Sequence, residues 1–191
     1  MHTRVVVLKT GSILRQGTLI KDSRSTVTLV EAESKRIVVD TGYLGEDGIL
    51  TDSLSARGLA PADIDIVVNT HLHLDHCGCN LLFRQSVFYA DKNENPPAYF
   101  RAAVDGKEIV PGVKILSTPG HTEGSISVVA KADGRTYVIA GDAIPTIENY
   151  ESMTPPTINI DEKLAKDSMK RILKVADIVV PGHGAPFDVR R

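Results

Sequence analysis

The 191-residue sequence has no tryptophan, two cysteines and only 5% aromatic residues. The cysteines, Cys77 and Cys79, are too few and too close for the disulfide framework of a small secreted domain. No apolar run reaches the roughly 18–20 residues of a membrane-spanning helix. The N-terminal MHTRVVVLKT has too short an apolar stretch for a signal peptide. Neither sign of charge dominates: 22 Lys plus Arg against 24 Asp plus Glu leave −2. That balance disfavours a dedicated nucleic-acid or anionic-membrane binder, although a local patch stays open. Hydrophobic residues make up 42% and charged residues 24%, which suits a soluble chain with a core. The expectation is a cytoplasmic protein with one domain over residues 1–191 and no membrane contact.

The N-terminal third reads as strands and hairpins: 4–10, 12–20, 25–32 and 35–40, with Gly17 and the polar cluster Lys21–Ser23 as turn signals. A helix is expected over 46–58, where Ile49, Leu50 and Leu54 share a face and Gly58 suits a stop. Strands then fall at 64–69, 86–90, 113–118, 125–131 and 135–140, the last two joined by an Asp133-Gly134 hairpin signal. A short helix starts near Gly78, AYFRAAV forms a helical turn or two, and 143–159 is irregular. The clearest helix is 161–176, capped by Asn159 or Asp161, with an apolar stripe of Leu164, Ala165, Met169, Ile172, Leu173 and Ala176. Its lysines and Arg171 read as a solvated face, since no aromatic residues interleave with them. A final strand covers 176–180, and KILSTPGH and ADIVVPGH repeat one strand–PGH unit.

Four apolar strands run into metal-competent residues. IDIVVNT leads to His71, His73, Asp75 and His76; VKILSTPG to His121; TYVIAG to Asp142; and ADIVVPG to His183. Strands of one sheet that each place such a residue past their carboxyl end would build a single cleft. In an extended segment residues i and i+2 point the same way, so His71 and His73 can face one ion together with His121. Asp75, His76 and His183 would hold a second, and Asp142, with two carboxylate oxygens, suits a bridge. The N/O donor set fits Zn²⁺ foremost, with Fe or Mn also compatible. The isolated His2 reads as an ordinary surface residue. Cys77 and Cys79 read as small residues in a tight turn, because two ligand sets are complete without them.

These residues resemble the metallo-β-lactamase superfamily over nearly the whole chain. Its HxHxDH signature stands as His71, His73, Asp75 and His76, with His121 in TPGHT, Asp142 in AGD and His183 in PGHG. The resemblance implies an α/β (α+β) fold, a four-layer αββα sandwich, carrying a dinuclear metal centre. It also gives Asp40, in IVVDTG, a supporting role behind the ligands. Asp142 speaks against antibiotic hydrolysis, since the zinc β-lactamases usually lack an aspartate there. The short stretches after Asp142 and His183 leave no room for the additions of glyoxalase II or β-CASP nucleases, and no exosite arm is seen. His73 departs from the flavodiiron pattern. GCNLLF and VADIVVPGHGAPF are most similar to the small metallo-β-lactamase domain-containing protein 1 group, and NTHLHLDH and TPGHT to the acyl-homoserine lactonases.

The expected function is metal-assisted hydrolysis of an ester, lactone, thioester or phosphodiester by a bridging hydroxide between two divalent ions. Asp75 would be the catalytic residue that orients the hydroxide and moves its proton. The rival readings are an acyl-homoserine-type lactonase, a mononuclear iron dioxygenase acting on a persulfide, and a metal-binding protein without catalysis. Tyr99 and Tyr150, with Phe100 and Met153, are the candidates for lining a substrate pocket in the loops at 91–100 and 143–159. The expected partner is a small-molecule substrate; nucleic acid is not favoured by the charge balance, and homodimerisation is left open.

Overall fold

β-Branched and aliphatic residues dominate the strands of the computed structural model, which describes residues 3–17 and 19–190. His2 lies outside the described residues. The chain opens with β1 (Arg4–Lys9), β2 (Ser12–Gln16), β3 (Leu19–Arg24), β4 (Val27–Ala32) and β5 (Lys35–Val39). Then come α1 (Asp47–Ser55), β6 (Ile66–Val68), α2 (Leu74–Cys77), β7 (Val87–Ala90) and β8 (Arg101–Ala102). The second half contains β9 (Glu108–Val110), β10 (Val113–Ser117), β11 (Ile126–Ala132) and β12 (Arg135–Gly141). It closes with α3 (Ile147–Ser152), α4 (Glu162–Val175), β13 (Ile178–Pro181) and β14 (Phe187–Asp188).

Two six-stranded sheets carry the architecture, in the orders β1-β4-β5-β6-β7-β8 and β14-β13-β12-β11-β10-β9. β5 to β8 run parallel, as do β12 and β13. β2 and β3 form a separate two-stranded ribbon. Between the sheets lies a core that includes Val30, Ile37, Val39 and Val68 from one and Ile115, Val128, Ile139 and Val180 from the other. The outer face of the first sheet, through Leu29, Val38 and Val67, meets Leu50 and Leu54 of α1. The outer face of the second, through Val138 and Val179, meets Met169 and Ile172 of α4. The layers are therefore helix, sheet, sheet, helix: the four-layer αββα sandwich that the resemblance implies. Among the described residues no helix is long and apolar enough to cross a membrane.

Local chemistry explains the elements that match the sequence reading. Asp161 accepts a hydrogen bond from Leu164 N at 2.8 Å and caps α4. Asp133 and Gly134 both take positive φ, 51° and 75°, as a tight hairpin between β11 and β12 requires.

Other expectations need correction. Lys21–Ser23 lies inside β3 rather than in a turn, because the polar ribbon is largely exposed and needs no apolar face. AYFRAAV is not helical; it contains β8, whose pairing with β7 overrides local propensity. The irregular 143–159 stretch contains α3, and the short β9 and β14 carry too few residues to show a period.

Met169 is fully buried beneath α4, whereas Leu164 at the helix start is 39% exposed. Met169→Ala is expected to cost about 2–5 kcal/mol in urea unfolding. Leu164→Ala should cost less than about 1 kcal/mol in the same measurement.

Candidate metal centre

The carboxyl ends of β6, β10, β12 and β13 meet at one edge of the sandwich. They belong to two sheets, not one: β6 comes from the first, the other three from the second. Backbone bonds stitch this edge across the seam, from Ile126 N to Thr70 O at 2.9 Å and from Thr26 N to Gly182 O at 2.6 Å. Both PGH units sit on the second sheet, so the repeat seen in the sequence delivers His121 and His183 to the same rim. Gly182 is required there, since a Cβ would strike Asp142 Oδ1. Gly120 has φ of 129°, and a Cβ would run into Ala165 at the start of α4.

All seven expected ligand residues are brought together. His73 Nδ1 lies 3.1 Å from His71 Nε2 and 3.0 Å from His121 Nε2. Asp142 Oδ1 lies 3.3 Å from His76 Nε2 and 3.1 Å from His183 Nε2, while its Oδ2 is 3.5 Å from His121 Nε2. Asp75 Oδ2 completes the second group, 3.8 Å from His76 Nε2 and 3.7 Å from His183 Nε2. Three groupings have metal-holding geometry: His71, His73 and His121; His71, His76 and Asp142; and Asp75, His76 and His183. Asp142 thus turns one oxygen toward each half of the cluster.

The outward contacts of the rings fix what they present inward. His121 Nδ1 donates to Ile158 O at 2.7 Å, and His183 Nδ1 donates to Arg24 O at 2.8 Å. His76 Nδ1 donates to Asp40 Oδ2 at 2.7 Å. Thr70 Oγ gives its hydrogen to that same oxygen at 2.8 Å, so it accepts from His71 Nδ1 at 3.2 Å. With each Nδ1 hydrogen placed outside, four Nε2 lone pairs point at one another and at carboxylate oxygens. His76 Nε2 and Asp142 Oδ1 are buried without a hydrogen-bond partner. A convergence of acceptors around orphaned buried atoms is the environment a cation neutralises, and the imidazole and carboxylate donors fit divalent zinc, iron or manganese.

Electrostatics follow from the same packing. Burial, then the neighbouring His76, pushes the His71 pKa well below the usual histidine value. Burial and His121 lower His73 in the same direction. Burial opposes a charge on His76, but Asp142 and Asp40 outweigh it and hold its pKa well above the ordinary value. For Asp142 burial is likewise overcome, by His183 and His76, and its carboxyl stays well below the usual range.

Asp40 accepts from Thr70 N at 2.7 Å as well as from Thr70 Oγ and His76. It thereby orients two of the rings, and it does so from φ of 58°, a left-handed conformation costly for a non-glycine residue. Two further residues escaped the sequence reading. Ser23, on β3, donates to Asp75 Oδ2 at 2.6 Å. Glu94 accepts from Leu72 N at 2.9 Å, Thr122 Oγ at 2.5 Å and Gly124 N at 3.0 Å, bracing the His71–His73 loop against the His121 loop. Neither lies near a ligand motif in sequence, so only the fold reveals them.

The pocket residues need correction. Tyr99 and Phe100 pack on Phe88, with ring centroids 5.7 and 5.1 Å away, and Tyr150 stacks on Phe187 at 4.9 Å. Neither tyrosine, nor Phe100 nor Met153, lines the cavity over the cluster, because these rings are spent on local packing. That cavity is lined instead by Ile13, Ile20 and Ser23 of the ribbon and by Pro145, Pro156 and Ile158. Cys77 and Cys79 belong to none of the three groupings, and burial is the main cause that pushes both thiols up to about 11.

An αββα sandwich with converging imidazole and carboxylate donors at its rim is the build of a metal-dependent hydrolase. The family model described as metallo-beta-lactamase superfamily matches residues 20–101. A probable metallo-hydrolase of Methanocaldococcus jannaschii is 40% identical over 94% of this chain and 86% of its own length. Metallo-beta-lactamase domain-containing protein 1 of Mus musculus is 36% identical over 89% of this chain and 67% of its own. The solved structure of an N-acyl homoserine lactone hydrolase superposes with a TM-score of 0.76 at 22% identity, over 95% of this chain and 92% of that one. The chain belongs to the metallo-β-lactamase superfamily and is a hydrolase by that membership.

Glu94→Gln places an amide N–H₂ among three donors. The exchange is expected to weaken divalent-metal binding about 10–100-fold with an unchanged circular-dichroism spectrum. Titration with zinc against a chelating indicator measures it, and an unaltered affinity would remove Glu94 from the support of the site.

Proposed function

We propose that the protein is a dinuclear metallo-hydrolase that cleaves an ester, lactone, thioester or phosphodiester bond of a small-molecule substrate. The observation that carries this reading is the convergence of seven imidazole and carboxylate groups into three overlapping triplets, with His71, His76 and Asp142 linking the other two around buried atoms that have no hydrogen-bond partner. Zinc is the first choice of metal for these donors. Two divalent ions held there would supply a hydroxide nucleophile at neutral pH and polarise the scissile bond.

The chain's own contribution is orientation and proton movement. His71, His73 and His121 would hold one ion and Asp75, His76 and His183 the other, with Asp142 able to contribute to both. Asp75 borders the cavity, with its side chain 15% exposed, so one carboxylate can reach an incoming water and a departing group. In this role it accepts a proton from the attacking water and returns it to the leaving oxygen or sulfur. Ser23 Oγ, donating to Asp75 Oδ2, fixes the carboxylate for that transfer. Ile13, Ile20, Pro145, Pro156 and Ile158 wall the cavity with apolar surface, which strengthens electrostatic interactions inside it.

The test is metal analysis joined to a panel of chromogenic ester, lactone, thioester and bis-phosphate substrates. About two equivalents of zinc or manganese, and a fall in kcat/KM of about a hundredfold or more on Asp142→Ala, are expected. One tightly held iron per chain would favour persulfide oxygenation instead. Equal turnover by wild type and variant on every substrate would sink the hydrolytic reading.

A further inference from the structure

The cavity over the cluster is small, about 140 Å³, and beside it lies a larger one of about 660 Å³. Ile13, Arg15 and Thr157 border both, and His183 borders the larger. At roughly 30 Å³ per water-sized group, the small chamber accommodates a scissile carbonyl or phosphoryl group and few atoms beyond it. A substrate longer than this chamber can extend past the shared wall into the larger one. Arg15 Nη1 donates to Thr157 Oγ at 3.2 Å, so the wall is a crosspiece from the β2–β3 ribbon to the 143–159 segment.

Arg15 is the one lysine or arginine among the described residues that lines either chamber. A guanidinium has five N–H donors, and the Thr157 contact uses one of them. Among the described residues Arg15 forms no ion pair. The other charged group facing the larger chamber is Glu148, and its carboxylate is already engaged at the start of α3. The local surroundings at Thr146 and the helix backbone lower its pKa first and Arg15 contributes least, so the two charges do not pair. Facing the small chamber are His73, Asp75, His121 and Asp142, all claimed by the cluster.

We propose that Arg15 is a specificity-determining residue that selects substrates bearing an oxyanion, a carboxylate or a phosphate, on the part that reaches the larger chamber. This rests on the cluster being the hydrolytic centre. The planar fork of a guanidinium suits either oxyanion through paired N–H···O bonds, whereas a neutral or cationic tail leaves those donors to water.

The experiment is calorimetric binding to zinc-loaded protein. Dicarboxylates from succinate to suberate are compared with monocarboxylates of equal length, one end occupying the cluster and the other reaching Arg15. A parallel series with a terminal phosphonate distinguishes phosphate from carboxylate as the preferred oxyanion. At the best-fitting length the second anionic end is expected to tighten binding about tenfold. The gain should shrink as salt is raised. Arg15→Gln should abolish it and leave the Kd of the monocarboxylate unchanged. Equal binding within every pair, or a variant that weakens both members alike, overturns the proposal. A preserved dianion preference in a protein that turns over no substrate would count against the hydrolytic reading alone.

Discussion

Histidine rings whose lone pairs face one another repel, and such a cluster persists only where each ring is held from behind. Here the hold is specific: a carbonyl for His121 and another for His183, the Asp40 carboxylate for His76, and the Thr70 hydroxyl for His71. Those anchors decide the tautomers of these four rings, and His73 adds the fifth ring from the cavity side. The strained backbone at Asp40, the glycine beneath Asp142 and the hydrogen bonds across the sheet seam all serve this arrangement.

Two sheets are needed for it. The first supplies the HxHxDH segment and Asp40; the second supplies His121, Asp142 and His183. Because the interior between the sheets is a continuous aliphatic core, the relative position of the two rims is set by close packing over many residues. Catalytic geometry is thus inherited from the core, while the β2–β3 ribbon and the 143–159 segment, both at the surface, are free to shape what enters. This division separates a fixed chemistry from an adjustable selectivity.

Much of this was legible in the sequence. The seven ligand residues stand at the ends of apolar runs, where strand ends and polar termini coincide, and α4 announced itself through its stripe and its Asp161 cap. What stayed hidden depended on long-range packing. The sequence assigned the ligand-bearing strands to one sheet because no local signal distinguishes β6 from β12 by partner. Tyr99 and Tyr150 looked like pocket residues since aromatic rings in loops near a site carry no mark of which way they pack. Ser23 and Glu94 reach the cluster from polar segments that resemble ordinary turns, as the Lys21–Ser23 part of β3 does.

The groups that form and brace the rim lie far apart along the chain: Arg24, Asp40, the His71–His76 stretch, Ile158 and His183 meet only when both sheets have docked. Contacts of such sequence separation are among the last to form as a chain folds. The His71–His76 stretch is local, but the complete set of donors with His121, Asp142 and His183 exists only in the folded chain. An ion held by the complete set of donors would bind the native state more tightly than the unfolded chain and so draw the folding equilibrium forward. The packing that closes the core is thus also what makes the rim whole.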